Sequence, residues 1–134
     1  MSSLPSESPR KPPGDAGPGI SPATAELARR IRGLADRYRH LSESRLRARL
    51  DPDDTSDPDR TCAGAGLALA RTLAALGDAP EGREVPDVGV FAVGDQIAVT
   101  GLDLVAYLER GPARAAETTA NTALTAVRAL AARV

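Results

Sequence analysis

Residues 88–108, VGVFAVGDQIAVTGLDLVAYL, constrain the fold most, because apolar side chains fill them and only Asp95 and Asp103 carry charge. Valine, isoleucine and phenylalanine favour strands, and Gly94-Asp95 separates two such runs. A Gly-X pair in that setting carries the signal of a type II′ turn, since glycine accepts a positive φ at the first central position. The sequence therefore predicts a β-hairpin over 88–100. Pairing Val93 with Gln96 puts Val90, Ala92, Ile97 and Val99 on one face, with Phe91, Val93, Gln96 and Ala98 on the other. Both faces are largely apolar, and a bare two-stranded hairpin is marginal in water. Helices should cover one face and something else the other. Thr100 with Asp103 three residues on fits a capping box opening a helix through Leu102, Val105 and Leu108.

The rest of the chain reads as helices. Ser21-Pro22 places proline in a first turn, where its missing amide costs nothing. Leu27, Ile31, Leu34, Tyr38 and Leu41 then recur at helical spacing, and Ser42 restarts a helix that continues through Leu46 and Leu50. From Thr61 to Leu76 a more apolar helix carries Cys62, Gly66, Leu69, Leu73 and Leu76 on one face, with Gly77 suited to a left-handed C-cap. Its Gly64-Ala65-Gly66 has neither a preceding strand nor a third glycine, so close helix–helix approach explains it better than a phosphate loop. Gly111-Pro112 separates two helices, and the last shows Ala116, Ala120, Ala123, Val127, Leu130 and Val134 on one stripe. The aromatic residues are only Tyr38, Phe91 and Tyr107. A core of Leu, Val, Ile and Ala suits closely packed helices.

Three segments stand apart. Met1 to Ile20 is rich in Pro, Ser and Gly, too poor in apolar surface to offset the entropy of ordering, and is expected to be a disordered tail. Asp51–Asp59, DPDDTSDPD, invites a calcium reading. The EF-hand register fails, because Ser56 stands where glycine is needed and Cys62 where a glutamate should close the site. Asp78 to Pro86 reads as a polar linker. The expected fold class is thus α+β, mostly α: one domain over 21–134, with about four helices packed around one hairpin.

Enzyme chemistry has little to work with. The single histidine, His40, sits among arginines near a helix end, where the charged form is favoured and a general base is poorly served. Cys62 at a helix start could be activated, but a cysteine on an apolar stripe is ordinarily packing. No HxxxH, CxxC, GxSxG or phosphate-loop motif occurs, and no cofactor or metal is expected. The lone cysteine excludes an internal disulfide and points to the cytoplasm. The residue pattern predicts neither a secretory signal nor an apolar run approaching a membrane span.

Residues 21–50 carry eight arginines against Glu26, Asp36 and Glu43, a balance of +5. Phosphate neutralisation by Arg30, Arg37 and Arg45 would make the chain a DNA-binding regulator. The helix order followed by a hairpin resembles a winged-helix layout. It departs from that layout where base reading matters: the third helix carries only Arg71, and residues 85–111 sum to −3. The sixteen arginines to one lysine, with much Ala and Pro, also match codon choice in a GC-rich bacterial genome. The favoured expectation is a non-enzymatic interaction or adaptor domain that self-associates or binds a protein partner. Its contact residues would be Val90, Phe91, Val93, Ile97 and Val99, with Phe91 as the anchor of a homodimer.

Overall fold

The computed structural model describes residues 21–50, 60–77 and 85–134, so the expected tail, the aspartate segment 51–59 and most of the linker lie outside the described residues. Every regular element described is helical: α1 (Pro22–His40), α2 (Glu43–Arg47), α3 (Cys62–Leu76), α4 (Val93–Glu109) and α5 (Ala113–Ala131). A short 3-10 turn, Val90–Ala92, leads into α4. The fold is all-α, and the expectation of an α+β fold with a β-hairpin is overturned. The β-type pairing among the described residues is an isolated antiparallel bridge between Arg49 and Thr61.

The helix starts follow their local chemistry. Ser21 caps α1 by accepting the Thr24 amide at 3.0 Å, with Pro22 in the first turn. Ser42 caps α2 through the Arg45 amide, and Thr61 caps α3 through the Gly64 amide at 2.9 Å. Each supplies an acceptor to an amide that has no partner inside its helix. Gly77 does end α3, but with φ −87° rather than in the left-handed region.

The central correction concerns α4. Gly94 is no turn residue; among the described glycines Gly89 alone has positive φ, at 110°. Gly94 and Gly101 stand two helical turns apart on the face that meets α1. A Cβ on Gly94 would lie 2.9 Å from the carbonyl oxygen of Ala35, and one on Gly101 would lie 2.6 Å from Ile31 Cγ2. Gly66 of α3 does the same for the other neighbour, where a Cβ would meet Val93 Cγ1 at 2.5 Å and the Tyr38 ring at 2.8 Å. These glycines let three helices approach more closely than any side chain would allow. Thr100 caps nothing: it lies within α4 and its hydroxyl donates to the Gln96 carbonyl at 2.8 Å.

The physical reason for the misreading is that residues 88–100 are apolar in both parities, so alternation there says nothing about a strand. Strand preferences span only about 1 kcal/mol and yield to packing. A helix also satisfies its own backbone groups, whereas a lone hairpin leaves two open edges. What α4 buries is a helical stripe of Val93, Ile97, Leu104 and Leu108.

Helix α4 packs most extensively on α1 and α3, while α5 closes over α1. Leu27, Ile31, Leu34 and Tyr38 are buried as their spacing implied. So are Ala116, Ala120, Ala123, Val127, Leu130 and Val134. As one continuous helical stretch, Val90–Glu109 has 20 residues and mean hydropathy 1.3, long and apolar enough by length and composition to cross a membrane. That revises the expectation of no such run. Its glycine face is packed against α1, and about a third of the stretch is buried.

Candidate functional site

The five residues expected to form a contact surface do not stay together. Val93 and Ile97 are in the core, at 3% and 0% exposure. Val90 is half-buried, while Phe91 and Val99 project into solvent at 67% and 60%. Helical geometry is the cause: Val93 and Ile97 lie one turn apart on the inner face, whereas Val99 falls on the outer one. Two residues missed by the hairpin reading join the exposed set, Val88 and Tyr107. Counted at helical spacing, 91, 95, 99, 103 and 107 would have shown this ridge.

These four are the large hydrophobic residues that remain exposed among the described residues, and all belong to the segment 88–107. Half-buried Ala98, Leu102 and Ala106 fill the surface between them. One flank of this outer face borders α1, where Gly94 and Gly101 meet Ala35 and Ile31. There Arg39 Nε donates to Asp95 Oδ1 at 2.8 Å. The other flank borders α3, where Gly66 meets Val93 and Gly77 meets Leu104. The extended residues before the 3-10 turn are tied down on that side. Arg71 Nε donates to the Val85 carbonyl at 2.9 Å, and Gln96 Nε2 to that of Pro86 at 2.6 Å. Both hydrogen bonds fix the approach to Phe91 from two different helices.

The arginine surface of α1 and α2 is partly neutralised within the chain. Arg30 Nε donates to Glu26 at 2.7 Å, Arg29 binds the same carboxylate, and Arg128 of α5 lies 3.8 Å from it. The hydrogen bonds from Arg30 and then Arg29 hold the Glu26 carboxyl below its usual range. Arg47 pairs with Glu43 at 2.8 Å. Of the three candidate DNA contacts, Arg30 is thus engaged, whereas Arg37 and Arg45 have no ion pair among the described residues. Arg45 is also set apart from the other two by the break between α1 and α2. The hairpin expected in the position of a wing is replaced by α4.

Cys62 is 5% exposed, and its carbonyl oxygen accepts the Tyr38 hydroxyl at 2.7 Å. Burial first, and then Cys62, pushes the Tyr38 hydroxyl far above its ordinary value, so it keeps its proton and its bond. His40 ends α1 in solvent, with Nδ1 2.8 Å from the Asp36 carbonyl oxygen. Among the described residues no three His, Cys, Asp or Glu side chains cluster as a metal site would need. An open groove of about 350 Å³ runs between α3 and α5, floored by Leu69, Leu130 and alanines, with Arg60 and Arg133 on its rim.

No family model, no curated protein and no solved structure matches this chain.

Proposed function

We propose that this chain is a non-enzymatic protein-interaction domain whose contact surface is the outer face of α4. The observation that carries the reading is that Val88, Phe91, Val99 and Tyr107, the large hydrophobic residues exposed among the described residues, all lie on α4 or in the turn that leads into it. Single exposed hydrophobics are ordinary on a protein surface, and what supports the reading is that the four exposed among the described residues all fall in one segment, 88–107. Beneath it, the glycine contacts hold α4 close against α1 and α3. The arginines of α1 read better as a solvated surface, several of them already spent on neighbouring carboxylates.

A photo-crosslinking residue at position 91 or 99, introduced in cells that make the chain natively, should give discrete protein adducts. The same probe at position 33, on the exposed side of α1, should give none. Equal labelling from all three sites, or no adduct from 91 and 99, overturns the reading.

A further inference from the structure

We draw no further inference here: the strongest candidate, the open groove between α3 and α5 floored by Leu69 and Leu130 and rimmed by Arg60 and Arg133, carries nothing, because the segment 51–59 that joins two of its lining residues, Leu50 and Arg60, lies outside the described residues and nothing in the structure shows what covers it.

Discussion

Helices α1 and α4 pack against each other along their inner faces and meet water in opposite ways. On its outer side α1 presents Arg29, Arg32, Gly33, Asp36, Arg37 and His40, with no large apolar side chain among them. The outer side of α4 presents Val99 and Tyr107 among two aspartates, with Phe91 exposed in the turn before it. Some charged residues on α1 are paired along the helix at three- and four-residue spacing, as in the Glu26 contacts, and the others are solvated. The α4 surface leaves apolar area that none of the other described residues covers. A helix that is amphipathic ends at water; one that is apolar all round asks for a second covering.

The comparison can be broken most sharply at the two faces of α4. Ile97→Ala should cost about 3 kcal/mol by leaving a cavity, while Val99→Ala, two residues away, should change monomer stability by less than about 0.5 kcal/mol. Urea denaturation of the two variants decides it; equal losses would mean that the face assignment is wrong.

The same small change should have opposite signs on the two helices. Gly94→Ala places a methyl 2.9 Å from a backbone oxygen that cannot easily yield, and should cost about 2 kcal/mol. Gly33 of α1 has nothing within 4 Å of an added Cβ, so Gly33→Ala should gain about 0.5–1 kcal/mol from helix propensity. Thermal melts of the pair measure this, and a neutral Gly94→Ala would deny the close approach of α1 and α4.

Tyr38 ties the inner face of α1 to the start of α3. Tyr38→Phe should cost about 1–1.5 kcal/mol, because the Cys62 carbonyl loses its donor. Its raised folded value also gives a sign. The stability linked to this hydroxyl is full below the ordinary value of about 10 and declines as pH rises above it, since the unfolded chain ionises first. Tyr38→Phe should remove that part of the alkaline decline, which urea midpoints across the alkaline range would reveal.

The smallest effect belongs to the solvated surface of α1. Glu26 has a depressed folded value, so its contribution is present above the ordinary 4.5 and is lost as pH falls through the lower folded value. Because the group is exposed, Glu26→Gln should only slightly flatten the acid side of the stability profile, and less so at high salt. A large change there would show that α1 relies on its surface charges more than its packing implies.

What was legible followed from contrast along the chain. Leu27, Ile31, Leu34 and Tyr38 stood out because charged residues separate them, and their period is the helical one. The stripe of α5 from Ala116 to Leu130 was legible for the same reason, as were the helix starts near Ser21, Ser42 and Thr61, whose capping hydrogen bonds are local. Within the expected contact set, Phe91 and Val99 proved exposed, while Val93 and Ile97 belonged to the core and Tyr107 was overlooked. The stretch 88–108 offered no contrast, so strand-prone residues and a turn-like Gly-Asp pair filled the gap.

Sequence by itself thus determined where four of the five helices begin or which side they bury, since capping and amphipathic period are decided within a few residues. Only tertiary structure decided that residues 93–109 form one helix. Gly94 and Gly101 acquire their meaning from Ala35 and Ile31, residues some sixty to seventy positions earlier in the chain. A glycine that opens a tight turn and a glycine that admits a neighbouring helix are the same letter. Contact with the partner helix is what tells them apart, because close packing of α1 on α4 outweighs the small local preference for a strand.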